Sequence, residues 1–410
     1  MWREPGWSTL PPMSRRVTIL GSGVCGLAIG VKLLELDPSL QINIIEAQDK
    51  VGGLARSLTV GDQVADLGPH RIHTELPDVQ DFLQDLAGED MRRVERRSRM
   101  WIRNHWIEYP PKPLETLRVF GPIKVAQVLM SFAENILGLG KCYETDNYEA
   151  VMTQKFGREL YKLIALDYTR KVWKVDPKSI HGDIARVRVS AGGLDRLIKR
   201  VLVGEKEGQE TALKKFYYIP GGVEKIATRM AERIRAAGGT IETNRRVTGL
   251  EQKRTGHWRV TTQGVEGRER TDTADLVFST IPVTDLLQFL LAEKADHAVA
   301  NAREEMRFIA NFLVCVVVNR PRVTNCQWLY FPGRDIIFNR GYEPKNFAPE
   351  MGAPDTSMIL LEITCQHGDR IWNATDKQLV RKTIEGLGKA GSNARSSHSP
   401  HVSAVRSGVS

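Results

Sequence analysis

The stretch RRVTILGSGVCGLAIGVKLLELDPSLQINIIE, residues 15–46, decides the fold of this chain. An apolar run at 17–20 leads into glycines 21, 23 and 26, and an apolar helical pattern follows at 27–36. A second apolar run at 42–45 ends at Glu46, 20 positions after the last of these glycines. This order of strand, glycine turn, helix, strand and acidic residue predicts the βαβ unit of a Rossmann-like, dinucleotide-binding domain.

Each residue type in this stretch has a physical task. Gly21 permits the tight turn, Gly23 lets the main chain approach a pyrophosphate, and Gly26 lets the helix pack closely on the strands. The helix N-terminus offers N–H groups and a partial positive charge to the phosphates. Glu46 is positioned to accept hydrogen bonds from a ribose hydroxyl.

A second glycine cluster follows in VGGLARS, residues 51–57. Two adjacent glycines again allow the backbone to pass close to a ligand, and Arg56 adds a cationic contact near the pyrophosphate. An NAD-only Rossmann domain has no need of this second pair, so the cluster favours FAD. The alternative is an ordinary glycine turn. The position of the cluster just after Glu46 favours cofactor binding.

The two clusters together resemble the amine oxidase, protoporphyrinogen oxidase and phytoene desaturase flavoproteins, a clan that includes UDP-galactopyranose mutase. The resemblance covers residues 15–75 and 215–285 and is patchier between them. It implies an α/β fold, in which a discontinuous Rossmann-like FAD-binding domain carries an inserted helical region and an antiparallel-sheet substrate domain. It also implies FAD as the cofactor, held by Gly21, Ser22, Gly23, Val24, Cys25, Gly26, Glu46, Ala47, Gly53, Leu54, Ala55, Arg56, Pro69 and Val247.

Val247 enters this set through the second half of the domain. The segment YIPGG, residues 218–222, is followed by a helical pattern and then by a strand pattern at 241–250. In the superfamily the strand after this helix meets the adenine, and Val247 is similar to that position. A plain core valine is the alternative.

These assignments divide the chain into expected segments. They are a disordered leader at 1–14, the FAD-binding domain at 15–75 and 215–300, a mostly helical substrate region at 76–214, a substrate-domain sheet at 301–388, and a disordered tail at 389–410. After Gly388 the sequence is Ser-rich and polar without apolar periodicity. The superfamily's glycine-containing C-terminal flavin contact is not evident there, so we expect truncation or a shifted frame and weakened FAD binding.

The candidate catalytic residue is His70, in DLGPHRIHT, residues 66–74. This segment resembles the Gly-Pro-His-x-x-His-Thr motif of the galactopyranose mutases, in which the first histidine lies against the flavin ring. The resemblance implies that His70 tunes the flavin and manages protons, as an imidazole that titrates near neutral pH can. A structural histidine that caps a turn is the alternative.

Three residues are predicted to bind the substrate, again by resemblance to the mutases. Lys171 and Trp173 lie in YTRKVWKVDP, residues 168–177, and Arg188 follows at a spacing similar to that of a phosphate-contacting arginine. Aromatic stacking and cationic contacts would hold a sugar or nucleotide. For Trp173, packing into the core is the alternative.

Composition and charge bear on the partners, metal sites and disulfides to be expected. The net charge is +9, with an arginine-rich run at 92–103 that is either a solvated face or an anion-attracting wall. The five cysteines form no C-x-x-C pair and no H-E-x-x-H motif occurs, so we expect neither a disulfide framework nor a metal site. We expect a cytoplasmic protein with a small-molecule substrate, no nucleic acid and no membrane span; peripheral membrane contact and the oligomeric state stay open.

The expected function is FAD-dependent oxidation of a small organic substrate by hydride transfer to flavin, as in protoporphyrinogen or amine oxidases. One alternative is an isomerase like UDP-galactopyranose mutase. Another is a truncated flavin-binding protein without turnover.

Overall fold

The structure, a computed structural model, describes residues 15–109, 113–139, 145–189, 215–290, 300–301, 304–391 and 401–407. The expected leader at 1–14 lies outside these residues. The strands are β1 (Arg16–Leu20), β2 (Gln41–Ile45), β3 (Ser57–Val60), β4 (Gln63–Asp66), β5 (Arg92–Glu95), β6 (Ser98–Ile102), β7 (His105–Glu108), β8 (Lys215–Tyr218), β9 (Thr240–Glu242), β10 (Arg245–Gln252), β11 (Trp258–Gly264), β12 (Glu269–Ala274), β13 (Leu276–Ser279), β14 (Ile309–Val318), β15 (Trp328–Tyr330), β16 (Arg340–Tyr342), β17 (Ser357–Gln366) and β18 (His401–Ser407).

The α-helices are α1 (Val24–Leu36), α2 (Pro77–Ala87), α3 (Pro113–Phe120), α4 (Pro122–Ile136), α5 (Tyr148–Phe156), α6 (Arg158–Leu160), α7 (Asp167–Trp173), α8 (Gly182–Val189), α9 (Glu224–Ala236), α10 (Val283–Leu290) and α11 (Asp376–Lys389). A π-helical turn, Tyr161–Leu166, joins α6 to α7. Short 3-10 turns occur at Gly53–Ala55, Gly88–Asp90, Pro177–Ser179, Pro344–Asn346 and Pro349–Met351.

The chain forms two compact units. Unit 1 comprises Met1–Arg56, Asp81–Gly88 and Val223–Arg307, and unit 2 comprises Ser57–Gln80, Glu89–Gly222 and Phe308–Ser410. Residues 81–88 join unit 1 because Arg229 donates hydrogen bonds to the carbonyls of Leu86 and Ala87, at 3.0 and 2.6 Å. The first segment of unit 1 ends at Arg56.

Unit 1 is built on a parallel sheet. The strand order is β13-β1-β2-β9, with every pair parallel, and a separate antiparallel sheet runs β10-β11-β12. Apolar residues of β1, β2 and β10 meet in one core, among them Leu20, Ile45 and Val247. Helix α1 lies so close to its neighbours that a Cβ on Gly30 would stand 2.9 Å from the Cδ1 of Ile234 in α9. This crossover fold is the one that the glycine-rich stretch predicts.

Unit 2 is built on a seven-stranded mixed sheet. The order is β18-β14-β17-β16-β15-β6-β7, and the β15–β6 pair is its parallel one. Strand β17 is buried on both faces, and the buried residues of β14 and β17 pack with Leu379 and Leu387 of α11. Helix α11 begins with a capping box, in which Thr375 and Gln378 satisfy each other's backbone amides.

Two expectations differ from the structure. The region expected to be mostly helical contains three strands between residues 92 and 108, because alternate residues such as Met100 and Ile102 point into a core while Arg99 points out. The tail expected to be disordered contains β18, which pairs antiparallel with β14 over residues 401–407. The open edge of β14 supplies backbone partners that the polar composition of the tail does not reveal.

Candidate functional site

The first glycine cluster leaves its main chain exposed to a ligand. Gly21 has φ +95° and donates its N–H to Ile45 O at 2.8 Å, so the turn that follows β1 lies beside the end of β2. A Cβ on Gly23 would meet no atom within 4 Å, whereas a Cβ on Gly26 would overlap the carbonyl oxygen of Gly21. Gly23 precedes α1 and has no side chain to cap it. The amides of the first turn therefore face open space that fits a diphosphate.

The second glycine cluster lies directly against the first. Gly52 donates its N–H to Ser22 O at 2.9 Å, and a Cβ on Gly53 would stand 3.1 Å from the Cα of Gly23. Gly52 and Gly53 have φ +110° and +55°, a region that disfavours side chains. The Arg56 side chain turns back onto this loop, donating to Gly53 O at 3.2 Å. The structure thus brings together the two clusters that the sequence assigned to one cofactor.

Glu46 is buried just after β2, and its hydrogen bonds join the first glycine turn to the end of this strand. Its carboxylate accepts hydrogen bonds from the N–H and Oγ of Ser22, at 2.9 and 2.7 Å, and from the N–H of Gln48 at 2.9 Å. A carboxylate has about four acceptor positions, so one remains for a ribose hydroxyl. The other predicted cofactor residues lie close in the chain to these groups: Val24 and Cys25 begin α1, Ala47 follows Glu46, and Leu54 and Ala55 lie in the 3-10 turn that starts at Gly53.

Val247 lies on the strand that continues from this edge. Asn244 and Arg245 donate their N–H groups to the carbonyls of Gln48 and Glu46, at 2.8 and 2.9 Å. Strand β10 then has an irregularity in its register between Val247 and Gly249. The Val247 side chain packs in the core, so its contribution to an adenine site would come from its backbone. Open space at Gly23, paired glycine loops and a carboxylate beside them fit a dinucleotide such as FAD.

In unit 2, the segment that carries His70 is held rigidly. The carboxylate of Asp66 accepts hydrogen bonds from Ser57 Oγ and from Tyr218 OH, each at 2.7 Å. The hydroxyl of Tyr342 donates to the carbonyl of Asp66. Trp328 Nε1 donates to the carbonyl of Pro69 at 3.2 Å, which gives Pro69 a place in the framework of this segment. The backbone before His70 is therefore fixed from both sides.

His70 is the candidate proton carrier of this unit. Burial, and then the positive charge of Arg340, lower the pKa of its imidazole below the usual 6.5. Its Nδ1 is buried and has no hydrogen-bond partner among the described residues. The ring is therefore neutral at neutral pH and has a nitrogen available to a ligand.

An arginine–glutamate pair lies beside His70. Arg340 on β16 faces Glu362 on β17, and the guanidinium donates to both carboxylate oxygens at 2.7 to 3.0 Å. Burial lowers the pKa of Arg340, but the charge and hydrogen bonds of Glu362, together with Tyr168 and Tyr330, outweigh burial and the net shift of the pKa is upward. This pair keeps a fixed cation next to the histidine.

Three tyrosines form an aromatic row in the same unit. The ring centroid of Tyr330 lies 5.4 Å from Tyr109 and 5.9 Å from Tyr168. Burial raises the pKa of the Tyr168 and Tyr109 hydroxyls, so both remain protonated donors at neutral pH. Such a row offers stacking faces and hydroxyl donors to a ligand.

The sequence left open whether the arginine-rich run at 92–103 is a solvated face or an anion-attracting wall, and the structure has arginines of both kinds. Arg92 and Arg97 form exposed ion pairs with Glu350 and Glu95, at 2.5 and 3.8 Å. Arg96 instead lies 5.8 Å from the Tyr109 ring and 5.5 Å from that of Trp328. Burial, and then Arg96, lower the pKa of Arg71, and no carboxylate in the described part of the chain pairs with Arg71 within 4 Å. Positive charge thus accumulates beside the tyrosine row.

The predicted substrate residues stand elsewhere in unit 2. Lys171 donates to the carbonyls of Phe331 and Gly333, each at 2.7 Å, and burial lowers its pKa to about 7. It lines a cleft of about 1030 Å³ with Arg170 and Lys174. Trp173 packs against the core around Tyr161, the alternative that the sequence left open. The side chain of Arg188 lies outside the described residues, so the substrate role of all three stays a prediction.

One exposed trio has metal-ligand chemistry. Asp146, His181 and Asp183 come within 4.8 Å of one another. Arg186 donates to both carboxylates, at 2.6 and 2.8 Å, so a cation already occupies them and we assign no metal.

Sequence reasoning did not single out Arg340, Glu362 or Tyr330. Glu362 had a usable signal, because a glutamate inside the apolar run MILLEITC, residues 358–365, requires a partner when buried. Its partner depends on the register of two strands 22 residues apart in the chain, which no local pattern gives.

The chain matches the family described as "Flavin containing amine oxidoreductase" over residues 24–406. It is 24% identical over 254 residues to an L-amino-acid oxidase of Sistrurus catenatus edwardsii, covering 58% of this chain and 45% of the relative. It is 30% identical over 104 residues to protoporphyrinogen oxidase 2 of Arabidopsis thaliana, covering 25% of this chain and 20% of that one. The chain thus spans about half the length of the L-amino-acid oxidases that it matches.

Among solved structures, reduced UDP-galactopyranose mutase superposes with a TM-score of 0.76 at 20% identity, over 96% of this chain and 83% of that one. Within the described residues, every helix is too short or too polar to cross a bilayer. The expectations of an α/β fold, of the amine oxidase resemblance and of FAD as the cofactor are confirmed. The chain belongs to the flavin-containing amine oxidoreductase family.

Proposed function

We propose that this protein is an FAD-dependent oxidoreductase that oxidises a small organic substrate by hydride transfer, in the manner of amine or protoporphyrinogen oxidases. The observation that carries the proposal is the contact between the two glycine clusters, where Gly53 approaches Gly23 and the position of a Cβ on Gly23 is open space. The family match supports the same chemistry. The relatives of this chain include L-amino-acid oxidases and a protoporphyrinogen oxidase. The substrates of these enzymes are candidates for this chain.

The residues of unit 1 would hold the cofactor. The first-turn amides of α1 and the backbone at Gly53 would bind the diphosphate, and Glu46 would bind a ribose. When bound, the flavin supplies the two-electron acceptor for the hydride. The protein contributes binding, orientation and exclusion of water.

The residues of unit 2 would serve the substrate. Arg71 and Arg96 provide positive charge without a described carboxylate partner, which favours a substrate with an anionic group such as a carboxylate. The protonated hydroxyls of Tyr109 and Tyr168 would donate hydrogen bonds to it. His70, neutral at pH 7, would accept a proton at its free Nδ1 from a substrate ammonium or hydroxyl.

The test uses purified protein reconstituted with FAD under anaerobic conditions. Amines, L-amino acids and a protoporphyrinogen are added in turn, and the loss of visible flavin absorbance is followed. A substrate that bleaches the flavin supports the proposal. His70→Gln should slow bleaching by about 10²-fold or more if the ring handles the proton, while His73→Gln, at an exposed position in the same segment, should not. Failure of all three classes to reduce bound flavin contradicts the oxidase proposal.

A second candidate is an isomerase that acts on a nucleotide sugar. The tyrosine row beside uncompensated arginines favours it, because it would suit a sugar joined to a diphosphate. Such an enzyme needs flavin that has been reduced beforehand. If dithionite-reduced protein interconverts the two ring forms of a UDP-sugar, and no substrate bleaches the oxidised form, this candidate replaces the first.

For the compartment, we propose the reducing cytoplasm. The described cysteines, Cys25, Cys315, Cys326 and Cys365, are all free thiols. Burial raises the pKa of the Cys315 thiol to about 12, which keeps it unreactive.

A further inference from the structure

The outer face of α4 is apolar and exposed. Its helix, Pro122–Ile136, and the turn after it carry six large apolar side chains that are 60–76% exposed: Ile123, Leu129, Met130, Ile136, Leu137 and Leu139. Ala126 and Ala133 are exposed between them. At 100° per residue, the apolar positions from 123 to 137 form one continuous stripe, which we call the α4 stripe.

The inner face of α4 is fixed by polar contacts, so the helix cannot turn the stripe inward. Lys124 Nζ binds Glu159 at 2.7 Å, and the amide of Asn135 donates to Thr153 O at 2.6 Å. Ser131 Oγ accepts a hydrogen bond from the N–H of Glu159 at 3.3 Å. The main chain of Gly157 approaches so closely that a Cβ there would stand 3.1 Å from Phe132 N. The stripe faces outward because the other side of the helix is occupied.

The exposed area is the size of half an interface. Residues of this size expose roughly 200 Å² each when fully accessible, so the six side chains present on the order of 800 Å² of surface. That is about what each partner buries in a stable complex. Exposed apolar patches of this size mark interaction surfaces.

The pattern of the stripe is self-complementary. If two copies of α4 pair antiparallel about a twofold axis at Met130, Ile123 of each copy faces Leu137 of the other, because these two residues lie equally far before and after Met130. Glu134 of the other copy then faces Ala126, and the longer side chain of Gln127 lies one residue away from that carboxylate. Lys124 donates to the amide oxygen of Gln127 at 3.1 Å, which leaves the amide NH₂ directed away to donate to that carboxylate. The one ionised side chain on the outer face thereby gains a partner.

The charge of the face argues against a lipid surface. A helix that lies in a membrane interface usually carries cations around its apolar face. The outer face of α4 carries Glu134, and its one lysine is bound to Glu159 on the inner side. We infer that the α4 stripe binds a second copy of this chain, in an antiparallel pairing of the two α4 helices centred on Met130.

The test measures the oligomeric state of the FAD-reconstituted protein by sedimentation or light scattering at about micromolar concentration. Wild type should be dimeric. Met130→Glu should raise the dissociation constant by on the order of 100-fold, because it buries two carboxylates against each other. The control Val265→Glu, at a side chain that is 80% exposed on a hairpin turn, should remain dimeric. A monomeric wild type, or a dimer that Met130→Glu leaves unchanged, overturns the inference.

A second experiment reads the register directly. Met130→Cys should form a covalent dimer on mild oxidation, since the two thiols meet at the twofold axis. Ile123→Cys should not, because its two copies lie about 20 Å apart along the paired helices. Wild type, oxidised in parallel, controls for the native cysteines. Equal cross-linking of both variants, or monomeric protein that floats with lipid vesicles, contradicts the pairing.

Discussion

A single methyl group at Gly23 should separate cofactor binding from folding. The backbone of Gly23 has φ −65° and ψ 172°, which any residue adopts, and no atom lies within 4 Å of the position of its Cβ. Gly23→Ala should therefore leave the free energy of unfolding of the apoprotein unchanged, or raise it by about 0.4–1 kcal/mol through the stiffer unfolded chain.

The same methyl would occupy the space that the diphosphate needs. Losing close contact between the α1 amides and the phosphates should weaken FAD binding by about 10- to 100-fold, or roughly 1.4–2.8 kcal/mol. The matched control is Gly388→Ala, the same chemical change in helix α11, where a Cβ also meets no atom within 4 Å.

The assay is titration of apoprotein with FAD, followed by flavin fluorescence, beside urea unfolding of each apoprotein. We expect wild type and Gly388→Ala to bind alike, and Gly23→Ala to bind weakly while unfolding at the same or higher urea concentration. If Gly23→Ala binds FAD as tightly as wild type, the diphosphate does not lie against this turn and the proposed position of the cofactor is wrong.

Three further predictions concern stability. Gly26→Ala should destabilise the apoprotein by about 1–3 kcal/mol in urea unfolding, because its Cβ would overlap the carbonyl of Gly21; an unchanged midpoint would contradict the packing described. Glu362→Gln should lower stability by about 1–3 kcal/mol, since it leaves Arg340 without a counter-charge while water still reaches a third of that side chain, and an unaltered melting temperature would count against the pair. The pKa of His70 is lower in the folded than in the unfolded protein, so the unfolded state binds the proton first and wild type should lose stability as the pH falls below about 6.5. His70→Gln should show a smaller loss of stability between pH 7.5 and 5. Identical pH profiles of the two proteins would exclude the buried neutral ring.

The nucleotide-binding half was predictable because its signals are local. The glycines at 21, 23 and 26, the apolar runs around them and Glu46 lie within 32 residues, and their spacing alone specifies a crossover. The adjacency of Gly23 and Gly53 followed from the resemblance rather than from either turn by itself. Structure adds what the spacing could not show, namely that Glu46 is already bonded to Ser22.

Unit 2 was less predictable because its contacts are distant in the chain. Arg340 and Glu362 meet through strand register, and Tyr109 meets Tyr330 across more than 200 residues. Lys171 and Trp173 were singled out by residue type, but their neighbours decide what they do, and those neighbours include the carbonyl of Phe331 and the core around Tyr161. Strand β18 was missed because an open sheet edge can order a polar segment that has no pattern of its own.

The carboxylate of Asp66 has a consequence for the order of folding. Its side chain and carbonyl are held by Ser57, Tyr218 and Tyr342, so the loop that carries His70 closes only after more than 270 residues beyond it have been made. Contacts of such sequence separation form late, since a long loop must first lose its freedom. The segment that carries His70 would thus reach its final position only after β16 and Tyr342 have left the ribosome.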